Sequence, residues 1–510
     1  MGVIDYIRLF FDLVVEFVFG LFYSKEVVPS VKDDLLLMSA TQLAKGIRTK
    51  KFTSQHVVRA YLARIEEVNR TLNAVVDIRA KDAIADAISI DERIPHMSPA
   101  EFKSLPFLGV PFTAKESTLC ENMSATFGLK QRLNVRSDQD AVVIQNMKRA
   151  GGILIAVTNV PQLNLWVETH NPVYGLTRNP YNTSCAVGGS SGGEASILAA
   201  CGSPIGIGTD IGGSIRIPAY MCGIFGHKCS NGLTDTKGLT FRDGSETEHT
   251  MVAIGPMCRK SEDLIPGIIA LLGKKADLLN LSVPVDTRKL KFYYIEKNSD
   301  IRCSPIRADV EYINKMVVNH FLKDRTVERL EVPKLKYSSA LYKYWMEQEC
   351  GGFRSDVTNR TYEASAGSEL WKYLTGRSEY SFSVVLVLMS LQWMPSPNEE
   401  WARETTQEIR NYLMDKLGDD GVLLYPSWPQ TATYHHVGYF RPFNYSYTSI
   451  FNLLKFPVTQ VPLGLNKDGL PVGIQVAAAP MNDRLCVAVA KELEQVFGGY
   501  AVPQSANVKK

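Results

Sequence analysis

Apolar residues in this chain fall into two kinds of block: unbroken runs of four to eight positions, and longer stretches in which they recur at helical spacing. The unbroken runs cover residues 107–114, 153–157, 204–208, 291–295, 422–425 and 472–477 and predict strands buried on both faces. The periodic stretches cover 141–150, 193–200, 261–272, 306–322, 401–417 and 483–497 and predict helices between them. Two further amphipathic helices precede the first strand. One begins at Thr41, and the other spans 54–69 with Val57, Val58, Tyr61, Leu62 and Ile65 on one face and Ser54 as its expected N-cap. Strands alternating with helices imply an α/β layered fold with a mostly buried sheet. With no internal repeat and no low-complexity linker, a single large domain over 29–510 is the simplest organisation.

Residues 1–28 stand apart from that pattern. Positions 3–23 are rich in Leu, Val and Phe and just long enough to span a bilayer core, but Asp5, Arg8, Asp12 and Glu16 interrupt them. At about 100° per residue those four charges occupy roughly one quarter of the helix circumference. That arrangement suits an N-terminal helix lying in a membrane interface, or a single-pass helix whose charged stripe faces protein; a helix packed on the domain is the third option. A cleaved signal peptide is disfavoured because no basic region opens the chain, and Met1-Gly2 lacks the Ser or Thr at position 6 that myristoylation wants. The segment is therefore read as a membrane anchor.

Charge and cysteine content then narrow the partners. The 56 basic and 53 acidic residues nearly balance, which removes the electrostatic case for nucleic acid. The nine cysteines show neither CxxC pairs nor scaffold density and read as free buried thiols. Neither a Walker nor a dinucleotide glycine motif is present, and His435-His436 has no second ligand cluster at metal spacing; neither cofactor nor metal is implied.

Two glycine- and serine-rich stretches carry the chemistry. Residues 188–195 read Gly-Gly-Ser-Ser-Gly-Gly-Glu-Ala, and 208–219 read Gly-Thr-Asp-Ile-Gly-Gly-Ser-Ile-Arg-Ile-Pro-Ala. Glycines there let backbone N–H groups turn inward beside Ser190 and Ser214, which is what an oxyanion hole requires. Lys115 closes the apolar run 107–114, where a lysine is costly unless paired or neutral. Desolvation lowers a lysine's pKa and makes it a usable base near neutrality.

Together these stretches resemble the amidase signature family over 36–499, with further matches at 223–228, 255–259, 457–464 and 469–475. The separations fit as well: 99 residues from Lys115 to Ser214 and 24 from Ser190 to Ser214. The resemblance implies that the sheet is a central twisted mixed sheet flanked by helices. It also implies a serine hydrolase of linear amides with Ser214 as nucleophile and acyl-ester site. Ser190, behind an unusual cis peptide, would be the proton relay and Lys115 the base. It further implies an oxyanion hole of the Ile211, Gly212, Gly213 and Ser214 amides, supported by Ser191, Asp210 and Arg216. Cys229 stands where the family usually has proline and Lys455 where glycine is common, departures that touch loop shape and no catalytic atom.

Within the family the likeness is to the fatty-acid amide hydrolases, and extends to the apolar N-terminus, 418–422 and 441–444. This implies long-chain acyl amides as substrates, such as fatty primary amides and N-acylethanolamines, a membrane setting, and room for a homodimer. Residues 382–394, apolar on nearly every side and too short to cross a bilayer, predict either a core helix or a membrane-dipping cap over an acyl channel. Asn164 is placed in the acyl pocket by its position. Two other readings compete: an α/β-hydrolase esterase with Ser190 at a Gly-x-Ser-x-Gly elbow, and the amidase subunit of a tRNA-dependent amidotransferase. The poor strand signal before 188 speaks against the first, and the apolar N-terminal helix against the second.

Overall fold

Thirteen strands alternate with helices in a computed structural model that describes residues 3–503; Gly2 and the outer ends of the two expected segments lie outside the described residues. The strands are β1 (Val75–Ile78), β2 (Pro111–Lys115), β3 (Ile153–Thr158), β4 (His170–Asn171), β5 (Gly175–Leu176), β6 (Ile205–Asp210) and β7 (Phe225–Lys228). They continue with β8 (Ala253–Cys258), β9 (Lys291–Tyr294), β10 (Val327–Arg329), β11 (Gly421–Pro426), β12 (Val458–Leu465) and β13 (Pro471–Ala478). All but the β4–β5 hairpin join one 11-stranded sheet in the order β1-β3-β2-β6-β8-β7-β12-β13-β11-β9-β10. The sheet is mixed: β3-β2-β6 and β11-β9-β10 pair in parallel, the remaining neighbours antiparallel.

Every residue of β2, β3, β6, β8 and β13 is buried, so both faces of the sheet's middle are covered, as their unbroken apolar runs require. The six expected strands and six expected helices are present with shifted ends. The run at 107 becomes extended only at Pro111, because Gly109 adopts φ 71° in the turn before it. Ser54 is not the N-cap. Thr53 caps the helix Ser54–Leu72 by accepting from the His56 N–H (3.1 Å), and the Ser54 hydroxyl instead donates to the buried Gly109 carbonyl (2.8 Å). The central strands β7 and β8 were not anticipated. Glycine and Pro256 interrupt their apolar pattern, although Pro256 sits opposite Ile207 in the ladder.

Two parallel strands position the site. β2 and β6 lie side by side in register, Thr113 opposite Gly206 and Ala114 opposite Ile207, so Lys115 and Asp210 end neighbouring strands at the same edge. A crevice outside the carboxyl ends of parallel strands is where open α/β sheets bind ligands.

The N-terminal segment forms a helix, Val3–Gly20. Its 18 residues rise about 27 Å. No helix among the described residues is long and apolar enough to cross a membrane, which corrects the single-pass reading. The physical reason lies in the charged stripe, which is turned onto the domain: Asp12 and Glu16 pair with Arg441, Glu16 with Arg307, and Asp5 with Lys297. The opposite, apolar face is left exposed, with Phe10 and Phe17 each 70% accessible. All nine cysteines are free, eight of them buried.

Candidate active site

Lys115 is fully buried, and its Nζ donates to Ser190 Oγ (2.8 Å) and Thr209 Oγ1 (2.6 Å). Burial pushes the amine down to about 7, against the opposing pull of the Asp210 and Glu194 carboxylates. Glu194, in the first turn of the helix Gly192–Ala199, lies behind it and accepts hydrogen bonds from the Thr113 and Thr158 hydroxyls, the latter at 2.8 Å. Burial pushes this carboxyl up to about 7, with those hydroxyls and Lys115 pulling the other way. An amine that is neutral above pH 7 therefore sits within hydrogen-bond reach of a serine hydroxyl.

Ser190 follows a cis peptide from Gly189, and Ser190, Thr209 and Ser214 all line one cavity of about 450 Å³. The loop after β6 turns back on itself at Gly213 (φ 122°), where a Cβ would come within 2.1 Å of Thr448 Oγ1. Asp210 is the hub of that turn. Its carboxylate accepts from the N–H groups of Gly213 (2.7 Å) and Ile215 (3.1 Å), from both Nε and Nη2 of Arg216 (3.0 Å each), and from Asn452 Nδ2 (3.0 Å). Burial alone would raise Asp210, but the Arg216 charge and hydrogen bonds outweigh it and hold the carboxyl below the ordinary range. Arg216 is itself fully buried and also donates to the Thr448 carbonyl (2.8 Å), Gln475 Oε1 (2.8 Å) and Asn452 Oδ1 (2.7 Å).

Of the four amides expected to face an oxyanion, the Gly213 N–H is thus already committed to Asp210; those of Ile211, Gly212 and Ser214 form the rest of the turn. The Ser191 N–H donates to the Ser214 carbonyl (3.1 Å), which ties the two glycine-rich stretches together. Thr209, Glu194, Thr448 and Asn452 complete the arrangement, and sequence reasoning missed all four. Thr209 and Glu194 lay inside the stretches already singled out; Thr448 and Asn452 arrive from a distant helix, Ser446–Leu453, with no local signal.

Asn164, expected at an acyl pocket, accepts from Ser117 Oγ (2.9 Å) and donates to Thr240 Oγ1 (3.1 Å). It lines the cavity above and a second, apolar one of about 190 Å³ that also reaches Ser214. Trp166, Val387, Leu391 and Pro442 wall the second. Val387 and Leu391 belong to the helix Phe382–Trp393, so the apolar stretch at 382–394 is a helix buried on one side through Val384, Val385 and Leu388 and facing a cavity on another. The first cavity differs in character, with Arg242, Glu246, Glu349 and Asp356 on its wall.

His435 and His227 are structural in their bonding. His435 is buried and bridges Glu168 Oε1 (2.7 Å) and the Thr183 carbonyl (3.0 Å). His227, Cys229 and Asp483 bring possible ligand atoms within 4.8 Å of one another. Yet His227 is already bonded to Thr459 Oγ1 (2.8 Å) and Asp483 (3.0 Å), and Asp483 to the Ser230 N–H (2.8 Å). Lys455 adopts φ 60°, a left-handed backbone that accounts for a glycine being common there.

The Asp210–Arg216 pair generates a stability prediction. Arg216→Met strands a buried carboxylate and is expected to cost about 3–5 kcal/mol, read as a large fall in the thermal midpoint. Adding Asp210→Asn to it should recover part of that loss. An unchanged midpoint in Arg216→Met would show that the pair does not hold the turn.

The amidase family profile matches residues 56–487. Fatty-acid amide hydrolase 2-A of Danio rerio is 40% identical over 494 residues, covering 94% of this chain and 93% of that protein. Fatty-acid amide hydrolase 2 of Homo sapiens is 39% identical, covering 93% and 91%. A bacterial aryl acylamidase structure superposes with a TM-score of 0.76 at 21% identity, covering 92% and 99%, a likeness of fold. The chain belongs to the amidase signature family and is an amide hydrolase.

Proposed function

We propose that this enzyme hydrolyses fatty-acid amides, fatty primary amides and N-acylethanolamines among them, through an acyl-enzyme on Ser214. The observation that carries the mechanism is the neutralisable Lys115 amine 2.8 Å from Ser190 Oγ. In this reading Lys115 Nζ accepts the Ser190 proton while Ser190 Oγ takes the proton of Ser214, whose oxygen attacks the amide carbonyl. The N–H groups of Ile211, Gly212 and Ser214 meet the developing oxyanion, and Gly213 contributes through its bond to Asp210. The proton then returns through Ser190 to the leaving nitrogen as the C–N bond breaks. Water entering by the same relay frees the fatty acid.

Substrate class follows from the two cavities that meet at Ser214. The apolar one, between Trp166, Val387 and Leu391, suits an acyl chain and the polar one the amine. Asn164, bonded to Ser117 and Thr240, stands where they join. The relatives named fatty-acid amide hydrolase 2 support the same class. The N-terminal helix, with its charges turned inward and Ile7, Phe10 and Phe17 outward, docks the enzyme on a lipid surface without crossing it.

Two outcomes test this. Ser214→Ala should lose both fluorophosphonate labelling and oleamide hydrolysis, whereas Lys115→Ala should stay folded and lose about 10²–10⁴-fold in rate at neutral pH. Label found on Ser190 in the wild type, or unchanged turnover in Lys115→Ala, would overturn the assignment. Second, Phe10→Asp/Phe17→Asp should abolish co-flotation with phosphatidylcholine vesicles; undiminished flotation would place the lipid contact elsewhere.

A further inference from the structure

We infer that the N-terminal helix braces one wall of the acyl cavity from behind, and that its ion pairs with Arg441 set the enzyme's affinity for long acyl chains. The inference rests on the fatty-acid amide reading and goes beyond anchoring.

On its helix side, the segment 437–445 is bound at several points. Asp12 and Arg441 are both essentially inaccessible, 1% and 2%, and lie 3.1 Å apart. Arg441 Nη1 donates to Glu16 (2.8 Å), Nη2 to the Asp12 carbonyl (2.8 Å), and Arg307 to the other oxygen of Glu16 (2.6 Å). The Phe440 ring meets Phe19 at 5.6 Å and Phe11 at 6.4 Å.

On its other side the same segment bounds the cavity. Pro442, the residue after Arg441, and Tyr445 line it directly. Tyr439 stacks on Trp166 at 5.0 Å, and Trp166 lines it too; Phe382 packs its edge on Tyr439 at 5.3 Å. One short stretch of chain thus has the helix on one face and the acyl cavity on the other. Without the helix carboxylates Arg441 would be a buried charge lacking its compensation, so the segment must move, and Pro442 moves with it. The catalytic loop is held independently, since Arg216 ties the Thr448 carbonyl and Asn452 of the following helix to Asp210. Disturbing the ion pairs should therefore alter chain binding and leave the chemistry intact.

The test uses full-length enzyme dispersed in detergent, where vesicle docking plays no part, and compares Asp12→Asn/Glu16→Gln with wild type on oleamide and on butyramide. KM for oleamide should rise about tenfold with kcat retained, and both constants for butyramide should hold. A chain lacking residues 1–22 should show the same split, and Arg307→Gln, which leaves the Asp12 pair in place, a smaller one. An unchanged oleamide KM in the folded variants, or an equal loss on both substrates, would overturn the inference. Wild-type enzyme that fails to cleave oleamide while cleaving butyramide would instead remove the fatty-acid reading, and this inference with it.

Discussion

One desolvated amine is the constraint on which the proposed chemistry depends. A lysine at the end of a fully buried strand cannot keep its charge cheaply, and the fold offers Lys115 two hydroxyls and no directly bonded carboxylate. Burial wins, and the amine falls to about 7. Roughly one strand away the opposite choice is made. Asp210 is equally buried, but five donors including a guanidinium converge on it, and it stays ionised. The neutral base and the permanent anion are set by environment alone, and together they define a proton acceptor beside a rigid turn of backbone amides.

That pairing explains the size of the supporting apparatus. Arg216 reaches Thr448, Asn452 and Gln475, so the helix Ser446–Leu453 and strand β13 are bolted to the loop that carries Ser214. The same helix follows directly on the segment that walls the apolar cavity and receives the N-terminal helix. The N-terminal helix, the apolar cavity and the loop that carries Ser214 thus all bear on one short run of chain, residues 437–453.

Much of this was legible in the sequence, and the failures have physical causes. The buried strands β2, β3 and β6 announced themselves as unbroken apolar runs, and Lys115 was conspicuous because charge does not belong there. The clustering of Asp5, Arg8, Asp12 and Glu16 on one helix face was also readable; which way that face points was not, because the partner arginines lie hundreds of residues away. Strand β8 was hidden by Pro256 in its middle, and β7 by its brevity. Ser54 reads as a cap because hydroxyl residues at a helix start usually are caps, whereas its neighbour Thr53 performs that role. The motif alone aims the Gly213 amide at an oxyanion, whereas in the folded protein it is bonded to Asp210.

The most direct test of the central claim is the pH dependence of Ser214 acylation, followed as the single-turnover rate of fluorophosphonate labelling from pH 5 to 9. A base must be uncharged to accept a proton, so an amine at about 7 predicts a rate that falls about tenfold per unit below pH 7 and levels off above it. A rate that passes unchanged through pH 7, or keeps rising towards the ordinary lysine range, would contradict the account.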